Sequence, residues 1–155
     1  MYMKNINYGP IGVVAHTEPL PEVKYCLYAR KSMEDEERQA LSIDSQLKEM
    51  RQIAERENLH ITAVRTEAHS AKLSGKRPVF NKIIEEIESG RFNAILTWNA
   101  DRLSRNAGDL GVLVDLMDNN KLLEIRTYNQ KFINSPNEKF LLMILCSQAK
   151  LENDN

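Results

Sequence analysis

Four short runs rich in β-branched and aromatic residues, each separated from the next by a helix-like pattern, constrain this chain more than any other feature. The runs are Lys24–Ala29, His60–Thr66, Ala94–Trp98 and Leu123–Tyr128. Between the first two, Ile43, Leu47, Met50 and Ala54 recur at helical spacing behind Ser42, a natural N-cap. The next helix has Pro78 in its first turn, presents Ile83, Ile84 and Ile87 on one face, and ends at Gly90. Leu110, Leu113, Val114 and Met117 mark a third helix. A fourth starts near Asn137 and presents Phe140, Leu141, Ile144 and Leu145. Strand and helix in alternation predict a three-layer α/β fold: a mainly parallel sheet of four to five strands, helices on both faces, and a C-terminal helix extending from it. In such sheets chemistry collects at the carboxyl ends of the strands, above all where strand order reverses.

At 155 residues the chain suits one hydrophobic core, expected over residues 23–155. Residues 1–22 contain Pro10, Pro19 and Pro21 without sustained periodicity, and are expected to form an extension outside that core. No apolar run approaches the roughly 18 residues of a membrane span, and IGVVA is too short for a secretory segment. Cys26 and Cys146 sit far apart inside apolar segments, as expected of buried free thiols in a reducing cytoplasm. Formal net charge is -1, from 21 basic and 22 acidic residues. Bulk charge therefore does not draw this chain to nucleic acid; any such contact needs locally concentrated cations or another module.

The strand ends are where those cations gather. The first strand runs into Tyr28-Ala29-Arg30-Lys31-Ser32, and the third into Asp101-Arg102-Leu103-Ser104-Arg105. Arg77 stands at the entrance to the second helix. A single arginine is ordinarily a solvated surface cation, but several on one rim around a serine ask for an anionic ligand. His16, His60 and His69 are scattered, and there is no Gly-x-Ser-x-Gly elbow, so the sequence gives no support to a hydrolase triad. Arginine does not serve as a base at neutral pH, yet it keeps its charge and grips oxyanions with a planar fork. A hydroxyl among guanidiniums suits attack on a phosphate, whose charge grows in the transition state. Neither phosphate-binding glycine motif of nucleotide enzymes is present. The run Glu34-Asp35-Glu36-Glu37 reads as solvated rather than metal-binding. Neither cofactor nor metal is expected.

Five segments in order give these residues a likeness: Tyr28-Ala29-Arg30-Lys31-Ser32; Gln39-Ala40-Leu41-Ser42-Ile43-Asp44-Ser45-Gln46; Glu67-Ala68-His69-Ser70-Ala71-Lys72; Arg77-Pro78-Val79-Phe80; and Asp101-Arg102-Leu103-Ser104-Arg105-Asn106. From about residue 24 to 153 the chain resembles the catalytic domain of serine recombinases, the resolvase/invertase group. The resemblance implies that Ser32 attacks a DNA phosphodiester and becomes joined to a 5′-phosphate, releasing a 3′-hydroxyl. It implies that Arg30, Arg77, Arg102 and Arg105 bind and activate that phosphate. Asp101 would position them or assist proton movement, with Tyr28, Gln39, Gln46 and Lys72 in support. For Gln46, plain helix surface is an equal reading. The family cleaves without metal or nucleotide, as a dimer at each site and a tetramer during strand exchange.

Family members carry a long helix where this chain has FLLMILCSQAKLENDN, then a separate DNA-binding region. Here the sequence ends at Leu151–Asn155, inside that helix, so the chain alone is expected to bind DNA weakly and without selectivity. Three functions stay in play: a recombinase catalytic domain, a non-catalytic module that pairs with a full-length recombinase, and a phosphatase or nuclease of like architecture. Integration, excision, inversion and resolution are equally open.

Overall fold

The computed structural model describes residues 19–31, 41–68, 77–104 and 106–154. Residues 1–18, and with them most of the expected extension, lie outside that set. Strand β1 is Lys24–Arg30, and its residues 25–30 are all buried. Such a run fits only the middle of a sheet covered on both faces. Helix α1 (Ile43–Glu57) follows, capped by the Ser42 side chain, which accepts from the Ser45 N–H. It ends on Asn58 in the left-handed region, φ 57°. Strand β2 (His60–Glu67), helix α2 (Pro78–Glu88) and strand β3 (Ala94–Thr97) come next. Gly90, at φ 85°, turns the chain out of α2, as a helix end favours.

A short helix α3 (Ala100–Leu103) and helix α4 (Ala107–Asp118) lead to β4 (Glu124–Arg126), β5 (Lys131–Ile133) and helix α5 (Pro136–Asp154). Sheet order is β2-β1-β3-β4-β5, with the first four parallel and β5 antiparallel to β4. The sequence reading left open whether there were four strands or five. The fifth is the second arm of a hairpin from β4, and α3 is a further element not anticipated.

The chain passes from β1 to β2 on one side and then to β3 on the other, so strand order reverses between β1 and β3. At the carboxyl ends Arg30 pairs in register with Glu67, and Tyr28 with Thr97. Alternation along β1 sends Tyr25 and Leu27 toward Met50, Ile53 and Ala54 of α1. Cys26 and Tyr28 join Phe80, Ile83 and Ile87 of α2, Leu113 and Met117 of α4, and Leu142 of α5 on the other face. The layers are therefore α1, the sheet, and the group α2, α4 and α5. Fully burying residues of this size stabilises by about 1.5–3 kcal/mol each, which makes β1 a rigid rod whose last residue is delivered to a fixed place.

Candidate active site

The rod ends at Arg30, and everything around it serves to hold that end. The Gln46 side chain lies buried against β1, accepting from the Arg30 N–H at 3.2 Å and donating to the Arg30 carbonyl at 2.9 Å. The same amide donates to the Leu41 carbonyl at 3.0 Å, tying the entry of α1 to the strand end. Gln46 is thus part of the site's frame rather than helix surface. Across the reversal, the Thr97 hydroxyl donates to the Tyr28 carbonyl at 2.8 Å.

Helix α3 begins where Asn99 caps it, accepting from the Ala100 N–H. Arg30 donates from Nε to the Arg102 carbonyl at 3.1 Å and from Nη2 to the Asp101 carbonyl at 2.8 Å. Arg102 answers from Nη1 to the Arg30 carbonyl at 3.0 Å. Its remaining fork grips both oxygens of Asp101, at 3.0 and 3.3 Å. The Arg102 side chain is 7% exposed and that of Asp101 28%, so this pair forms the outward lip of the cluster.

Arg77 sits beneath them, 1% exposed. It donates from Nη2 to the Arg102 carbonyl at 2.9 Å and to the Tyr28 hydroxyl at 3.0 Å. From Nη1 it donates to the Leu103 carbonyl and, at 2.9 Å, to Asp109. Its guanidinium carbon lies 4.1 Å from the centroid of the Phe80 ring. Tyr28 in turn donates to Glu67 at 2.6 Å. Burial pushes the Tyr28 phenol well above its ordinary range, and the partly opposing Arg77 charge does not restore it, so this hydroxyl acts as a neutral link.

The structure brings together all six of the expected site residues it describes: Tyr28, Arg30, Gln46, Arg77, Asp101 and Arg102. Ser32, Gln39, Lys72 and Arg105 lie outside the described residues. Two carboxylates went unassigned at the sequence level. Glu67 accepts from the Val79 and Phe80 N–H groups at 2.9 and 3.1 Å, capping α2 from a neighbouring strand. Arg77, at the N-cap position, makes no such bond itself. Asp109, in the first turn of α4, accepts from Arg77 and from Asn106 Nδ2 at 3.1 Å. The signals were faint but present: Glu67 closes the second strand beside Arg30, and Asn106-x-x-Asp109 is a helix-entry pattern. With Asp101 they set three carboxylates among three guanidiniums, which lets three cations share a buried space. An assembly of this kind can hold a compact anion beside its outward lip and stabilise charge developing on it.

The two thiols are free and buried, with burial pushing Cys26 up to about 12 and Cys146 up to about 11. Among the described residues no helix is long and apolar enough to cross a membrane.

Comparison with known proteins identifies the fold and the family. The family model "Resolvase, N terminal domain" matches residues 25–155. The N-terminal catalytic domain of TP901-1 integrase is similar at 26% identity and a TM-score of 0.63, over 84% of this chain and 97% of that one. A resolvase family site-specific recombinase from Streptococcus pneumoniae is similar at 25% identity and a TM-score of 0.55, over 86% and 89%. The C-terminal catalytic domain of ISC1926 TnpA, an IS607-like serine recombinase, shares the fold at 16% identity and a TM-score of 0.55, over 79% and 78%. With the family model spanning all five strands and the helices between them, this chain belongs to the serine resolvase/invertase family and carries its N-terminal catalytic domain.

Proposed function

We propose that the chain cleaves and rejoins DNA through a covalent bond between Ser32 and a 5′-phosphate. The observation that carries this reading is the convergence of Arg30, Arg102 and Asp101 at the β1/β3 reversal, two residues before Ser32 along the chain. The Ser32 oxygen would attack phosphorus as its proton leaves. The P–O3′ bond breaks, the 3′-oxygen takes up a proton, and one phosphate ester replaces another. Because ester is exchanged for ester, the reverse attack by a 3′-hydroxyl reseals the strand without an energy source. Arg102 and Arg105 would grip the non-bridging oxygens, with Arg30 fixing the strand end. Asp101 would align Arg102 or pass the proton. Tyr28 and Gln46 support the frame, and Gln39 and Lys72 are proposed as flanking contacts.

Paired action is part of the same reading. On α5, Phe140, Leu141, Met143 and Ile144 are exposed, and Val112 of α4 lies exposed as well. A cleft of about 270 Å³ lined by Ala107, Leu110, Gly111, Val114 and Met143, with Asp115 as its one charged residue, adjoins them. This apolar face fits a second copy of the chain in a homodimer, with tetramers forming at synapsis. It would equally serve a non-catalytic role of pairing with a longer recombinase, so cleavage has to be tested directly. DNA-site reading would fall to a region other than residues 23–155.

The test is to fuse the whole chain to a DNA-binding domain of known site and present nicked duplexes with randomised sequence beside that site. A protein–DNA adduct that Ser32→Ala abolishes supports the proposal. No adduct favours the pairing module, and released hydrolysed ends favour a nuclease.

A further inference from the structure

Arg77 carries five N–H donors; the fold has already claimed four of them and buried the fifth. Nη1 serves the Leu103 carbonyl and Asp109, and Nη2 serves the Arg102 carbonyl and Tyr28. Nε faces Glu67 at 3.9 Å without a hydrogen bond. One face of the guanidinium lies over Phe80, and the side chain is 1% exposed. A phosphate ligand needs donors turned toward the substrate. Arg77 offers no N–H toward such a site.

We infer that Arg77 is a positioning residue, not a phosphate ligand, and that Asp109 is the residue that positions it. Resting on the phosphodiester reading above, the role is specific. Arg77 grips two consecutive carbonyls, those of residues 102 and 103, and so sets the turn of α3 that presents Asp101 and Arg102. Asp109, buried in the first turn of α4, anchors the far end of the same guanidinium at 2.9 Å and is itself held by Asn106. A charge placed to neutralise Arg77 frees the arginine to organise backbone without drawing the anionic substrate inward. The turn carrying Asp101 and Arg102 is thereby locked to α2 and α4 together.

Two measurements decide it. In the free chain, guanidinium proton exchange followed by nitrogen-15 NMR should be slower at Arg77 than at exposed Arg51 by about a hundredfold, as for a group that exchanges only on local opening. Equal rates would overturn the inference whatever the enzyme does. The second measurement is single-turnover adduct formation at saturating fusion protein, on phosphodiester and on neutral methylphosphonate at the cleaved position. Losing a cation that touches the phosphate matters less once that phosphate is uncharged, so the Arg102→Ala defect should shrink by about tenfold on methylphosphonate. The defects of Arg77→Ala and Asp109→Asn, of order a hundredfold for a displaced reacting group, should be the same on both substrates. Rescue of Arg77→Ala to the extent seen for Arg102→Ala would show direct contact and overturn the proposal. An unchanged saturating rate in folded Asp109→Asn would reduce Asp109 to a stability role and overturn its part. Absence of any wild-type adduct would instead sink the phosphodiester reading, leaving the exchange experiment to decide the placement of Arg77.

Discussion

Replacing Glu67 by alanine should cost this fold much of its stability, because one buried carboxylate joins three elements. Its side chain is 0% exposed. It accepts from the Tyr28 hydroxyl at 2.6 Å, from the Val79 N–H at 2.9 Å and from the Phe80 N–H at 3.1 Å, and lies 3.9 Å from Arg77 Nε. Removing it strands two N–H groups in the first turn of α2, where losing a cap alone costs about 1 kcal/mol. Each buried donor left unsatisfied costs about 1–3 kcal/mol. Arg77 keeps Asp109, so the cost of a fully unpaired buried charge does not apply in full. These contributions overlap, and a loss of about 4 kcal/mol is expected, a large part of the 5–15 kcal/mol typical of a domain. In urea unfolding, with a slope near 2 kcal/mol per molar, the midpoint should fall by about 2 M. Trp98, the chain's one tryptophan, stacks on Tyr128 at 4.4 Å and provides the fluorescence probe. Glu67→Gln keeps one carbonyl acceptor but turns an NH₂ toward groups that are themselves donors, so its loss should be near half as large. A Glu67→Ala variant within about 1 kcal/mol of wild type, a change typical of an exposed site, would refute the reasoning. So would glutamine proving worse than alanine.

Three further outcomes follow from the same contacts. Gln46→Ala should lose about 2 kcal/mol by stranding buried backbone groups, and Gln46→Glu should be at least as damaging at neutral pH, recovering in acid as its carboxyl regains a proton to donate to the Arg30 or Leu41 carbonyl; urea midpoints at two pH values check both. The thiols of Cys26 and Cys146 should resist thiol reagents until the chain unfolds. Their folded values lie above the ordinary 9.0, so the unfolded state binds fewer protons above that pH, and stability should be full below about pH 9 and fall as pH rises toward 11–12. At Asn58, φ 57°, substitution by glycine should be nearly neutral, whereas valine should lower thermal stability by about 1–2 kcal/mol through left-handed strain.

Much of the fold was legible because periodicity is a local signal. Pro78, Gly90 and Ser42 marked helix ends where the structure has them, and four strands fell within a few residues of their observed limits. The strand β5 was not legible: Lys131–Ile133 is three residues long and exists through pairing with β4, which no local pattern announces. Helix α3 is a single turn held by its Asn99 cap and by two arginines gripping its carbonyls, which is tertiary rather than sequential information. At the site, residue type and position at strand ends and a helix entrance were enough to bring Arg30, Arg77 and Arg102 forward, and the family resemblance added Asp101. What those residues do to each other was not readable. Glu67 and Asp109 look like any surface carboxylates until their burial beside Arg77 is seen, and the inward commitment of the Arg77 guanidinium is visible only in three dimensions.

The central claim is that Ser32 carries the broken strand. Mass spectrometry of the adduct formed on a nicked duplex, after proteolysis and nuclease trimming, tests it most directly. The account predicts a peptide bearing a nucleotide attached through its 5′-phosphate to Ser32, together with a free 3′-hydroxyl on the released strand. A 3′-phosphate linkage, attachment at another side chain, or an adduct that persists in Ser32→Ala would contradict it.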